Sequence, residues 1–106
     1  MNTQGKYKIS RYYDDGQLAS EVNYKDGSWH GLLQEWYENG QLRFESTYKD
    51  GEADGLDKWW YDDGQLKQEL NYKDGKLDGL RKEWYGNGQL EYEANYKDGE
   101  LTNPIS

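Results

Sequence analysis

A four-residue pattern, Tyr-x-[Asp/Asn]-Gly, occurs eight times in this chain, and the tyrosines are separated alternately by 11 and 13 residues. Two such steps make a 24-residue unit that repeats without insertion or deletion. A fixed period of this length indicates a repeat architecture, in which each unit packs mainly on its neighbours. We therefore predict one domain over residues 1–106, with units near 13–36, 37–60, 61–84 and 85–106 and an N-terminal cap strand over 1–12.

The segments between these patterns show the alternation that is typical of β-strands. Leu42, Phe44, Ser46 and Tyr48 alternate with polar residues, and the equivalent segments keep the same phase. Such alternation favours a half-buried antiparallel strand. We predict an all-β fold, an antiparallel meander of about eight strands in a curved, elongated, single-layer hairpin array that forms a half-open β-roll. A closed barrel and two packed layers are the alternatives.

The turns fall into two classes. A two-residue Asp50-Gly51 loop favours a type I′ turn and pairs Tyr48 with Ala53. A three-residue loop over 38–40, with glycine in the left-handed region, pairs Trp36 with Leu42 and places Glu35 opposite Arg43. The predicted structural turn glycines are Gly16, Gly27, Gly40, Gly51, Gly64, Gly75, Gly88 and Gly99.

The segments between tyrosines 13 residues apart, such as Tyr24 and Tyr37, are called the long arms. They need a break in the alternation, because Trp29 is odd-numbered while Leu32 and Trp36 are even-numbered. Gly31 lies between them, and Gly55 and Gly79 are its equivalents. A glycine at such a break predicts a β-bulge. A bulge of one extra residue would place Leu32 and Trp36 on the same face as Trp29.

The charge excludes some partners and favours others. Thirteen basic and 21 acidic residues give a net charge of −8, which opposes binding to nucleic acid and makes binding to anionic membranes unfavourable. It favours a basic protein partner. The chain has no Cys, which excludes disulfides and thiolate zinc sites. We expect no signal peptide and no membrane span, which favours the cytoplasm, and the sequence leaves open both the choice between a secreted and a cytoplasmic location and the oligomeric state.

The full unit resembles a known repeat. The string Gly-Leu-x-x-x-Trp-Tyr-x-x-Gly-Gln-Leu-x-x-Glu-x-x-Tyr-Lys-Asp-Gly, carried by residues 31–51, 55–75 and 79–99, resembles the bacterial variant of the MORN repeat. Arrays of this variant are common in the YwqK-family antitoxins. The resemblance implies a curved single-layer sheet of hairpins and a non-enzymatic role in protein or membrane association or in toxin neutralisation.

Recurring polar residues are the first candidates for a site. Glu45 and Glu69 belong to a set that recurs once per unit and is expected on the polar face. Such a set could hold a cation or form a carboxylate pair, but a solvated stripe paired with Lys or Arg is favoured, since acid catalysis needs one carboxyl set apart by its environment. The turn aspartates fit turn chemistry. His30 has no accompanying nucleophile motif. No catalytic residue, metal site or cofactor is predicted.

The tryptophans are the second set of candidates. We expect Trp36, Trp60 and Trp84 in the core. Trp59 breaks the repeat, and we expect it to project from the polar face beside Tyr61, as part of a contact surface. The predicted binding residues are Trp59, Tyr61, Trp29, Glu45 and Glu69.

Four hypotheses on function remain at this point. The first is a non-enzymatic scaffold that binds a protein partner through one sheet face, with toxin neutralisation as its specific form. The second is a surface module that binds carbohydrate or another small ligand on aromatic slots. The others are an idealised or excised array with no function of its own and, least favoured, a hydrolase.

Overall fold

The computed structural model describes residues 5–102, and these form one sheet of ten antiparallel strands with no helix among them. The strands are β1 Lys6–Tyr12, β2 Leu18–Lys25, β3 Ser28–Trp36, β4 Leu42–Lys49, β5 Glu52–Trp60, β6 Leu66–Lys73, β7 Lys76–Leu77, β8 Gly79–Trp84, β9 Leu90–Lys97 and β10 Glu100–Leu101. Over this range the structure therefore contains no helix suited to crossing a membrane. The first residues of the predicted cap strand and the last residues of the final unit lie outside the described range.

The sheet is an open meander, which confirms the predicted fold class. The strand order is β1-β2-β3-β4-β5-β6-β8-β9-β10, and β7 pairs with β6. The predicted eight strands become ten because one long arm divides at Asp78 into β7 and β8, and because β10 begins a further arm. The sheet measures 56 × 32 × 11 Å, as expected of an elongated single layer.

Both predicted turn types are present. Asp50 and Gly51 have φ angles of 50° and 86°, which is the backbone of a type I′ turn. Gly40 has a φ of 89°, and its N–H donates to the carbonyl oxygen of Tyr37 at 3.0 Å, which closes the three-residue loop. Tyr48 stands opposite Ala53, as predicted. All eight predicted turn glycines have positive φ.

The pairing next to the three-residue turn differs from the prediction by one residue. Trp36 stands opposite Leu42, as expected, but the next pair is Glu35 with Phe44. Arg43 is the extra residue of a bulge, so the prediction that it stands opposite Glu35 is wrong. The Arg43 guanidinium nevertheless bends back and forms an ion pair with the Glu35 carboxylate.

The bulges at Gly31, Gly55 and Gly79 are confirmed, with φ angles of 100°, 117° and 112°, but their size is not the predicted one. Trp29 stands opposite Tyr24, and Leu33 stands opposite Val22. Residues 30–32 therefore face one residue of β2, so that the bulge holds two extra residues. An even number preserves the alternation, and thus Leu33 shares the face of Trp29 while Leu32 turns to the opposite face.

One face of the sheet carries the core, and we call it the core face. Four directly opposed residues form its centre: Leu33, Ser46, Asp57 and Leu70. All four are buried, together with Phe44 and Ala94. Large aromatic side chains in the flanking positions cover this thin centre, which is how one layer excludes water without a second sheet. The prediction that Trp36, Trp60 and Trp84 lie in the core is wrong, because the alternation along the long arms places these even-numbered residues on the opposite face, where they are half-buried.

Candidate functional site

The face opposite the core carries an unbroken row of polar side chains, and we call this face the ladder face. Each member stands directly opposite the next across neighbouring strands, so the row crosses the sheet from β1 to β9. This polar ladder consists of Ser10, Glu21, Gln34, Glu45, Lys58, Glu69, Lys82 and Glu93.

Contacts within the polar ladder run along its length. The Gln34 amide Nε2 donates to Glu45 Oε2 at 2.6 Å. Lys58 Nζ lies 3.7 Å from Glu69 Oε2, and Lys82 Nζ lies 3.5 Å from Glu93 Oε2. Directly opposed unlike charges stabilise a sheet by roughly 0.2–1 kcal/mol each. The glutamates are thus members of a charged row and are not isolated carboxyl groups.

A row of leucines runs parallel to the polar ladder, two residues away along the long arms. Leu32, Leu56 and Leu80 are 39%, 46% and 40% exposed. Because each stands two strands from the next, they are about 10 Å apart. Their exposure contradicts the prediction that Leu32 lies on the apolar side, and its cause is the two-residue bulge.

Side-chain hydrogen bonds to the backbone hold two members of the leucine row in place. Asn23 Nδ2 donates to the Leu32 carbonyl oxygen at 2.7 Å, and Asn71 Nδ2 donates to the Leu80 carbonyl oxygen at 3.0 Å. These carbonyls belong to the bulges, where the ladder of backbone bonds is interrupted and an acceptor would otherwise need water. Leu32 and Leu80 are therefore held on backbone that is fixed by a side-chain hydrogen bond, whereas Thr47 takes the place of the asparagine beside Leu56.

Trp59 lies on the core face, and the prediction that it projects from the polar face is wrong. Its ring packs on Phe44 with 4.2 Å between centroids, and its indole N–H donates to Asp57 Oδ1 at 2.9 Å. The reason is again the even-numbered bulge, since it leaves odd-numbered residues of the long arms on the core face. A role of Trp59 in binding stays a prediction.

The other predicted binding residues do not converge on one spot. Glu45 and Glu69 lie on the polar ladder and flank Lys58. Trp29 is at the start of β3, with its ring edge-on to Tyr48 at 4.9 Å. Tyr61 is in a three-residue turn, where its hydroxyl donates to the Trp84 carbonyl oxygen at 2.8 Å.

Asp57 is a functional candidate that sequence reasoning missed. It is only 7% exposed, and burial raises its pKa above the ordinary value of 3.8, while the hydrogen bond from the Trp59 indole N–H opposes that shift. Burial also raises the pKa of Tyr48, and the nearby Asp57 charge raises it further. The available signal was the break in the repeat, because the equivalent residues are Leu33 and Arg81.

His30 has a structural role beside the Asp50-Gly51 turn. Its Nδ1 accepts a hydrogen bond from the Asp50 backbone N–H at 3.3 Å. The equivalent Asp54 makes the same bond to the N–H of Asp74, at 3.2 Å. Among residues 5–102, no group of three or more His, Cys, Asp or Glu residues is placed to hold a metal ion.

Comparison with known proteins gives one match. The family model described as MORN repeat variant matches four consecutive stretches, residues 5–26, 29–50, 53–74 and 77–98. No curated protein and no solved structure matches the chain. The matched stretches follow one another at the 24-residue period of the sequence and together cover most of the chain.

Proposed function

The chain belongs to the MORN repeat variant family, and we propose on this premise that it is a non-enzymatic scaffold that binds a protein partner through its ladder face. Repeats of this family are typically modules for protein or membrane binding and are generally not enzymes. A repeated surface suits binding, because equivalent side chains recur at fixed distances along one face.

The leucine row beside the polar ladder is the observation that carries this proposal. Three exposed apolar side chains at regular spacing supply the buried area that a partner needs. The adjacent charges of the polar ladder would fix the orientation and register of that partner. The core face has less to offer, because its central side chains are already covered by aromatic rings.

The charge of the chain favours a protein partner with a basic surface. The net charge of −8 would speed the approach of such a partner. Vesicles that contain phosphoinositides should bind weakly at physiological salt, because electrostatic binding to lipid needs several unopposed basic residues close together. Neutralisation of a basic protein toxin is the specific form of the proposal, and it follows from the resemblance to YwqK-family antitoxins.

Capture of the partner tests the proposal. The wild-type chain and a Leu32→Ser/Leu56→Ser/Leu80→Ser variant are immobilised, and the proteins retained from lysate of the source cells are identified by mass spectrometry. We expect proteins that the wild type retains and the variant loses. A Ser28→Ala/Glu52→Ala/Lys76→Ala variant is the matched control, because these three exposed residues recur at the same period at the two-residue turns.

Three outcomes would contradict the proposal. The first is equal retention of every protein by the wild type and the leucine variant. The second is capture of the wild type by phosphoinositide vesicles. The third is selective binding to a glycan array, which would favour a carbohydrate-binding module. The hypothesis of toxin neutralisation further requires that co-expression of this chain with the captured protein protects the cell from that protein.

A further inference from the structure

Residues near the two ends of the sheet, on β1 and β9, are more exposed than the residues at equivalent positions of the repeat inside the sheet. Tyr92 is exposed, whereas its equivalent Phe44 is buried. Leu90 is exposed, whereas its equivalents Leu42 and Leu66 are half-buried. Inside the sheet these positions are covered by the next long arm. Within residues 5–102, no strand pairs with the outer side of β9 over residues 90–94 or with the outer side of β1.

A cleft at the β9 end combines carboxylates with aromatic rings. It is lined by Arg81, Glu83, Tyr85, Glu91 and Tyr92. Arg81 Nη2 lies 2.7 Å from Glu83 Oε2, which leaves Glu91 as the second carboxylate of the cleft. The Arg81 guanidinium also lies 5.6 Å from the Tyr92 ring centroid, so Glu91 and the Tyr85 ring remain for a further guanidinium, which binds carboxylate oxygens and ring faces.

The β1 end has the complementary charge. Lys6, Lys8 and Arg11 are exposed on this strand, and it carries no acidic residue. The 24-residue period makes β1 equivalent to the long arms, since Ser10, Gln34, Lys58 and Lys82 occupy the same position of the polar ladder. A basic strand with the register of a long arm therefore forms one edge of a sheet whose other edge is acidic.

We propose that residues 9–12 of β1 of a second copy of this chain pair with the outer edge of β9 over residues 90–94, beyond the end of β10, so that copies join head to tail. The register follows from the interior pairs, in which Phe44 stands opposite Trp59 and Ser46 opposite Asp57. When each residue of these pairs is replaced by its equivalent in the repeat, Tyr92 stands opposite Arg11 of the second copy and Ala94 stands opposite its Ile9. Arg11 of the second copy then reaches the cleft that holds Glu91.

The tyrosines of the three-residue turns extend the same pattern. The Tyr37 hydroxyl donates to the Trp60 carbonyl oxygen at 2.6 Å, and the Tyr61 hydroxyl donates to that of Trp84 at 2.8 Å. Tyr85 makes no such bond within the described residues and is exposed. In the proposed pairing its hydroxyl meets the carbonyl oxygen of Tyr12 of the second copy, because Tyr12 is equivalent to Trp36 by the period.

Backbone hydrogen bonds between the two edges would supply affinity, as in other cases of strand addition, and the charges would select the register. A head-to-tail contact uses two different surfaces and leaves each surface free at one end. The product is therefore an open series of dimers, trimers and longer chains. Screening by salt should weaken it, because the opposed charges lie at the surface.

Sedimentation velocity over a concentration series tests the proposal. We expect the wild type to show a growing series of species at low salt and fewer at high salt. Arg11→Glu and Glu91→Arg should each lower the association constant by about tenfold or more, since each places like charges at the contact. Lys49→Glu and Glu38→Arg are the matched controls, because they change exposed turn residues by the same charge and should leave the series unchanged.

A mixture of the two charge variants gives the sharpest result. One variant has a glutamate at both contact positions, 11 and 91, and the other has an arginine at both, so each alone should associate weakly while their equimolar mixture assembles. Circular dichroism of each variant checks that the fold is kept. A wild type that stays monomeric at millimolar concentration would overturn the proposal, as would a closed dimer that neither substitution affects or a mixture that fails to assemble.

Discussion

At the scale of single residues, Asp57 is where the chain departs most clearly from its own repeat. Its carboxyl group occupies a position that holds Leu33 in one unit and Arg81 in another. The site is buried, so the charged form loses hydration that the hydrogen bond from Trp59 only partly replaces. A charge at the centre of a thin core is therefore a cost to stability at neutral pH.

This cost predicts a pH-dependent effect of Asp57→Asn. Because folding raises the pKa of Asp57 above 3.8, the contribution of this group to stability is complete below that value and is lost as pH rises through the folded pKa. Asparagine keeps an acceptor for Trp59 without the charge. We expect the variant to be more stable than wild type at pH 7, on the order of 1 kcal/mol.

Urea midpoints at neutral and acidic pH measure this difference. The advantage of the asparagine variant should shrink as pH falls, because wild-type Asp57 then becomes protonated too. A variant that is less stable than wild type at neutral pH would show that the charge of Asp57 is used by the fold.

Trp59 gives a second prediction at this scale. Its ring contacts Phe44, and its N–H bonds to Asp57, so truncation removes apolar contact and one hydrogen bond. We expect Trp59→Ala to destabilise the protein by about 2 kcal/mol. Trp59→Phe is the control, because it retains the ring contact. An unchanged urea midpoint of the alanine variant would show that Trp59 lies outside the core. Trp59 would then again be a candidate residue for binding a partner.

At the scale of strands and turns, positive φ angles set the hairpins. Asp50 and Gly51 both lie in the left-handed region, yet a Cβ on Gly51 would meet only Ser28 Cβ at 4.0 Å. Any cost of substitution there is conformational and not steric. Gly86 offers a matched site, because it lacks a positive φ and has open space around it.

We therefore expect Gly51→Val and Gly86→Val to differ in their effects on stability. The first should destabilise by roughly 1–3 kcal/mol, since a β-branched residue is strained at positive φ. The second should change the free energy of unfolding by less than about 0.5 kcal/mol. Denaturant midpoints compare them, and equal midpoints would contradict the type I′ assignment of the Asp50-Gly51 turn.

The turns could be predicted from the sequence because their chemistry is local. Asp-Gly at a fixed spacing defines the loop, and the loop defines pairs such as Tyr48 with Ala53. The size of the bulge at Gly31 could not be predicted in the same way. It depends on which backbone groups of β2 and β3 bond across it, and one extra residue or two reverses the face of everything that follows. That single step misplaced Leu32 and Trp59, and with them the apolar part of the candidate site.

At the scale of the whole molecule, the sheet has no second layer within the described residues. Its radius of gyration is 16.0 Å, whereas a compact globule of this length would have about 13 Å. The difference arises because each strand contacts mainly its neighbours, so that the sheet grows in one direction while its thickness stays at 11 Å. Both faces are therefore accessible along their full length, which is the premise of binding through the ladder face.

Small-angle X-ray scattering, extrapolated to zero protein concentration, tests this claim most directly. The extrapolation removes any contribution from assembled copies. We expect a radius of gyration near the 16.0 Å of the sheet, and a maximum dimension near its 56 Å length plus a hydration layer. A value near the roughly 13 Å of a compact globule, with a symmetric distance distribution, would show a closed or double-layered fold and would contradict the account.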